Sequence, residues 1–393
     1  MIKRQAGFTM AELLVTMAIF MFAIVAMSNV FVPLLTQFKQ QTKIAETQIE
    51  GVVGLEIFRR DLDLAGFGLP WEIPDAVTYN EGSGTPAGSM PLANNSAIND
   101  AISNPPRAIA GIDDVAGLGG SDYLVIKATS IAVNDAAMKW THVIGGAAGA
   151  STVNVWDNTS DDLEVNDLAI VLIPSTGVDK HRILKNNGAA FSVSFPDSPT
   201  NFPAAFSPST PNDVHLVYGV TPPSTGVTGL RMPFNRADYC INRETGTAIP
   251  PRCAPGTGIL MKTLISHANG NRLPGTPLLD CVADMQVIFR LDRDNDGTID
   301  ATTDVLTDAS GAALTARELR EQLKEVRVYI LAHEGQKDRN FTYCINPPAC
   351  DETAITVGEF GLGSTFSLTG ITDWQNYRWK VYTIVVKPNN LRS

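Results

Sequence analysis

The chain has 393 residues, enough for one large domain or two modest ones plus an extension. Its net charge is -11, and no basic stripe with interleaved aromatics occurs, which argues against nucleic acid as a main partner. Charged residues are scarce at 18 %, and glycine and proline are plentiful. That composition suits an acidic body that stays soluble outside the cytoplasm.

The N-terminus carries the strongest pattern. Lys3 and Arg4 lead to Gly7, and from Phe8 to Leu35 the chain is almost wholly apolar, with one carboxylate, Glu12, inside it. The run is long enough to span a bilayer. It is longer than the apolar part of a secretory signal, and no A-x-A site follows it. The basic residues favour a cytoplasmic N-terminus, which puts everything after about residue 36 on the periplasmic or outer side. A carboxylate at such a depth is costly alone and asks for a partner.

The stretch Gly7-Phe8-Thr9-Met10-Ala11-Glu12-Leu13-Leu14 behind a basic leader resembles the prepilin leader of type IV pilins and type II secretion pseudopilins. The resemblance implies that residues 1–7 are a leader. A prepilin peptidase would cut between Gly7 and Phe8 and methylate the new amino group on Phe8. Residues 8–35 would be the transmembrane and filament-core helix, and Glu12 would neutralise the Phe8 ammonium of a neighbouring subunit. Two unlike charges in a low-dielectric bundle are tolerable together and expensive apart.

Beyond Leu35, Ile44, Ile49, Val53, Ile57 and Leu62 recur at helical spacing among polar residues, so residues 36–68 read as an amphipathic continuation. The spacing predicts one helix from Phe8 to Ala65, roughly 85 Å long. Pro33 should kink or locally open it, and Gly66-Phe67-Gly68-Leu69-Pro70 should stop it. Arg59-Arg60-Asp61-Leu62-Asp63-Leu64-Ala65-Gly66-Phe67-Gly68 resembles the helix end of PilW-like minor pilins and, more loosely, of GspJ-like pseudopilins.

Residues 69–393 read as a β-rich head of one or two subdomains, with any break near 190–212. Residues 70–120 look like a long connection. Strands are expected at Tyr123–Ala128, Val153–Trp156, Leu168–Ile173, Val214–Tyr218, Gly258–Thr263, Met285–Leu291, Val326–Leu331 and Arg378–Val386. The block from Phe195 to Pro211 is too proline-dense for sheet interior and reads as a surface loop. Thr315 with Glu318 forms a capping box for a helix over Ala316–Lys324. Gly119-Gly120-Ser121-Asp122 before Tyr123, and the ending from Tyr382 to Leu391, also resemble PilW-like proteins.

Five cysteines fit an oxidising compartment. Cys344 and Cys350 enclose a turn-forming segment and should pair. Cys253 fits either Cys281 or Cys240. The spacing Asp292, Asp294, Asp296, Thr298, Asp300 around Gly297 supplies hard oxygens in one short loop, as in calcium loops. Thr303 falls where a bidentate acid would close an EF-hand, so Asp304 is the expected closing ligand. A strand rather than a helix precedes the loop, which points to a calcium site in a β-loop that stiffens it.

No catalytic constellation is present. The histidines (His142, His181, His215, His267, His333) are scattered, there is no G-x-S-x-G elbow, and Asp113-Asp114 and Asp161-Asp162 read as solvated loop acids. The expected fold is therefore α+β and pilin-like, a long N-terminal helix carrying a β-rich head. The resemblance implies a non-enzymatic minor pilin that helps start pilus assembly and sits at the filament tip. A type II secretion pseudopilin and a calcium-stabilised tip adhesin are the alternatives. Partners implied are other minor pilins, the major pilin, the prepilin peptidase, the inner-membrane assembly platform and a large tip adhesin. The protein would wait in the inner membrane and then move to the filament at the cell surface.

Overall fold

A computed structural model describes residues 9–83, 95–146, 150–175, 181–198, 200–222, 229–243, 249–359 and 361–391. Helix α1 spans Met10–Asp63 without interruption, about 80 Å at 1.5 Å per residue, and Pro33 lies inside it without ending it. It stops where the sequence turns to glycine: Gly66 and Gly68 take left-handed φ angles of 83° and 67°.

The strands that follow in chain order are β1 (Ile109–Val115), β2 (Ser121–Ala128), β3 (Trp140–Gly145), β4 (Ser151–Val153) and β5 (Leu168–Pro174). Next come β6 (Arg182–Leu184), β7 (Ser192–Ser194), β8 (Val214–Gly219), β9 (Asn235–Asn242) and β10 (Gly258–Leu264). The sixteen-residue β11 (Thr276–Leu291) and the short β12 (Ala301–Thr303) precede helix α2 (Ala316–Gln322), which runs directly into β13 (Leu323–Glu334). The hairpin β14 (Ala354–Glu359) and β15 (Leu362–Ser367) precedes the last strand, β16 (Arg378–Val386).

These strands make a large antiparallel sheet in the order β1-β2-β9-β10-β11-β13-β16, with β12 on β11. A second sheet has the order β4-β3-β8-β5-β6, with β7 on β5. The two sheets share one core: Ile170, Leu172 and Tyr218 of the second sheet pack in the same cluster as Leu124, Tyr239 and Met285 of the first and Phe58 and Leu62 of α1. On its far side the large sheet is covered by the β14–β15 hairpin and by Tyr377 and Trp379, both buried. Disulfides join Cys253 to Cys281 and Cys344 to Cys350, and Cys240 is buried in β9.

Several expectations are corrected. Val153–Trp156 is a strand only through Val153. The proline block from Phe195 is more than a surface loop, because Phe202 and Phe206 turn inward and close the outer face of the second sheet. Within residues 70–120, β1 is a full strand paired with β2, and Asp113 and Asp114 lie on it at a shift of register between the Ile112–Tyr123 and Val115–Ser121 pairs. Strand β9, unforeseen, is central. It carries buried Arg236 and Asp238 in a network with three cations and three carboxylates: Lys127 lies 2.6 Å from both Glu81 and Asp100, Arg236 bonds Glu81 (3.0 Å) and Asp238 (2.7 Å), and Arg107 bonds Asp100 (2.6 Å). The network ties the connection after α1 onto the sheet.

The helix meets the sheet through its glycines. A Cβ on Gly54 would lie 1.7 Å from the Leu278 carbonyl oxygen, so only glycine permits this approach. Gly54→Ala should therefore lower the unfolding free energy by about 1–3 kcal/mol, since the backbone has to move apart to admit the methyl group. Gly370→Ala, with nothing within 4 Å, should stay within about 0.5 kcal/mol of the parent in the same denaturant titration.

Candidate functional site

Two groups of residues merit a functional reading: the N-terminal helix and the acidic turns of the large sheet. At the helix start Thr9 is the N-cap and Glu12 stands three residues on, forming a capping box. The Thr9 amide and hydroxyl both donate to Glu12 Oε2 at 2.9 Å, and the Glu12 amide donates to Thr9 Oγ1 at 3.3 Å. Glu12 thus caps its own helix within the single chain, and its carboxylate is held at the N-terminal end where positive backbone charge collects. Gly7 and Phe8 lie outside the described residues.

The apolar side chains that follow have no cover in the chain. Met10, Leu14, Phe20, Phe22, Met27 and Val30 are all more than 60 % exposed, and the helix is long and apolar enough to cross a membrane. Cover begins near Gln40, which hydrogen-bonds Asp338, and Ile44, which lies against Gly335; further on, the Gln48 amide donates to Glu334 at 3.0 Å. Phe58 then stacks on Tyr239 with ring centroids 4.4 Å apart. Asp61, 5 % exposed, bonds the Lys262 ammonium at 2.5 Å and accepts from the Tyr239 hydroxyl. That buried pair fixes the rotation of the helix on β9 and β10. No signal in the sequence marked Lys262 as its partner.

The acidic loop is the turn between β11 and β12. Leu291 pairs with Ala301, and residues 292–300 form the connection. Oxygens of Asp292, Asp294 and Asp300 lie within 4.8 Å of one another. Asp292 is fully buried and accepts from the Asp296 amide (3.1 Å) and the Gly297 amide (3.0 Å), with Lys324 at 3.4 Å. Burial raises its pKa, but those amides and Lys324 outweigh it and hold the carboxyl below the ordinary range. Asp296 uses its carboxylate on the Thr298 amide at 2.7 Å. Asp304 falls beyond β12, where its charge acts on Asp113.

Asp113, Asp114 and Asp122 form a second acidic group, their oxygens also within 4.8 Å. Burial pushes Asp122 up to about 8, against hydrogen bonds from the Asp114 and Val287 amides. Burial, then Asp304 and Asp114, push Asp113 up to about 6.

Residues 2–28 match the family described as Prokaryotic N-terminal methylation motif. The motif implies processing by a prepilin peptidase and marks the N-terminus as type IV pilin-like, in keeping with a membrane-anchored prepilin. A search of curated proteins found no match. Among solved structures, the chain is similar to the type IV-like pilin TTHA1219 from Thermus thermophilus, with 15 % identity, a TM-score of 0.23, and coverage of 43 % of this chain and 75 % of that one. At that score nothing about the head follows from the likeness.

The Asp113 carboxyl gives a pH test. Its folded pKa lies above the ordinary 3.8, so ionisation costs the folded state, and stability falls as pH rises through about 6. Asp113→Asn should melt a few degrees higher than the parent at pH 8 and at the same temperature near pH 4. A variant equally displaced at both values would contradict this assignment.

Proposed function

We propose that the protein is a PilW-type minor pilin, a structural and non-enzymatic subunit that helps start a type IV pilus and occupies its tip. The observation that carries this reading is the methylation motif at residues 2–28, placed on a helix whose first half is wholly exposed and apolar. Such a surface is stable only in lipid or against other helices. A helix able to exchange one for the other is what a subunit drawn from membrane into filament requires. The large head supports a tip position, because a bulky subunit is hard to repeat through a helical shaft. The partners in this reading are other minor pilins, the major pilin and the assembly platform.

Intact-mass analysis of the protein purified from piliated cells tests the reading directly. A chain beginning at methylated Phe8 is expected, and one retaining Met1 would sink the proposal. Glu12→Val should leave the melting temperature of the purified full chain unchanged. It should also reduce incorporation into filaments at least about tenfold, the size of effect that loss of a buried charge partner produces.

We further propose that the β11–β12 turn binds calcium through Asp292, Asp294 and Asp300. The donors suit the ion: all are hard oxygens, and three carboxylates this close repel one another unless a cation joins them. The ion would stiffen the turn. Calcium should raise the melting midpoint by several degrees, and chelator should reverse it. Asp300→Ala should abolish the response. An unchanged midpoint, with no calcium found by elemental analysis, would remove the site.

A further inference from the structure

Three residues far apart in the chain, Trp71, Arg182 and Arg320, meet where the connection after α1, the edge strand β6 and helix α2 come together. Backbone pairing sets the first two. The Trp71 amide donates to the Arg182 carbonyl at 2.8 Å, and the Leu184 amide donates to the Glu72 carbonyl at 3.1 Å. Arg320 comes from the last turn of α2, which the fully buried Leu319 fastens to the core. The Arg182 Cζ lies 5.0 Å and the Arg320 Cζ 4.7 Å from the centre of the Trp71 ring, so the two charges are at most 9.7 Å apart. All three residues are half-buried.

Neither guanidinium has an acid. The chain carries 41 acidic residues against 30 lysines and arginines, and carboxylates match the cations buried on β2 and β9. Yet among the described residues no carboxylate bonds Arg182 or Arg320. The acids nearby are engaged elsewhere: Glu321 bonds Arg317 at 2.8 Å, and Glu72 reaches His181 at 4.0 Å. The indole face attracts each cation but has no net charge, so it leaves their mutual repulsion uncancelled. Burial, with Arg182 and Arg317 adding to it against Glu321, pushes Arg320 down to about 10. Two planar forks of N–H donors beside one ring are the groups that bidentate recognition of an oxyanion uses.

We infer that Arg182 and Arg320, held over the Trp71 ring, form a binding site for an oxyanion: a phosphate or carboxylate group of a ligand outside the chain. The anion cancels the repulsion between the guanidiniums. The ring already restrains both side chains, so less freedom is lost when the anion binds. The inference does not depend on the assembly role proposed above.

Tryptophan fluorescence of the full chain in nonionic detergent tests it, because Trp71 reports from within the site. The protein is titrated with sodium phosphate, with sodium acetate, and with sodium chloride at matched ionic strength. Phosphate or acetate should give a saturable change that chloride does not give and that Trp71→Phe removes. The better of the two anions then assigns the group as phosphate or carboxylate, and either supports the site. Arg320→Gln should weaken half-saturation at least about tenfold, the loss expected for one charge-assisted hydrogen-bond partner. Its melting temperature without anion should not fall, because a repelling charge has gone; Arg182→Gln carries the same test if Arg320→Gln does not fold. An equal response to chloride, a response that survives in the glutamine variants or in Trp71→Phe, or none with either anion would overturn the inference.

Discussion

One helix has to satisfy two solvents, and the rest of the structure follows from that constraint. Over its first half α1 offers apolar side chains in every direction, a surface that only lipid or other helices can cover. Over its last turns it is held by a sheet, and there the sequence changes to suit: Gly54 for close approach, Phe58 to stack on Tyr239, Asp61 to meet Lys262. Removing one partner of a buried ion pair costs about 3–5 kcal/mol, because the other charge is left without compensation. The Asp61–Lys262 pair accordingly fixes register. A one-residue slip would turn the helix by 100° and bring Arg60 or Leu62 towards the ammonium, so the head sits on its stalk in a single orientation.

The same logic operates on β9. Its buried charges are expensive to desolvate, and they persist because each is matched: Lys127, Arg236 and Arg107 against Glu81, Asp100 and Asp238. Glu81 and Asp100 belong to the long connection after α1, while Lys127 and Arg236 belong to adjacent strands. The connection is thus held by charge as well as by packing, with Leu69, Ile73, Val77 and Tyr79 buried in the main core and Ile98 in a smaller cluster.

This explains what could be read in the sequence and what could not. The helix, both its ends, the capping box at Thr315 and the strands with alternating or continuous apolar runs were legible, because each carries its signal within a few residues. Strand β9 was not. Asn235, Arg236 and Asp238 break its apolar pattern, and although Arg236 and Asp238 pair with each other, the other partners lie far away in the chain, at Glu81 and Thr129. β1 was missed for a similar reason, since Asp113-Asp114 looks like a loop until Asp122 is brought beside it. In the acidic turn, local spacing did place Asp292, Asp294 and Asp300 together. Asp304 stands outside that group, after residues 301–303, which extend as a strand at about 3.3 Å of rise per residue.

Strand β11 joins these features into one mechanical unit. Near its start are Leu278 and Leu279, against which Gly54 and Gly51 rest, and it ends at the acidic turn that opens with Asp292. Twelve residues lie between Leu279 and Asp292, about 40 Å of extended chain. Near its start the strand is fastened by the Cys253–Cys281 disulfide; β10 pairs with its first half, residues 276–282, and β13 with its second, residues 282–291. The helix therefore meets the sheet close to the disulfide and the β10 pairing. The acidic turn lies at the opposite end of the strand. There Asp292 is held locally, by the Asp296 and Gly297 amides and by Lys324.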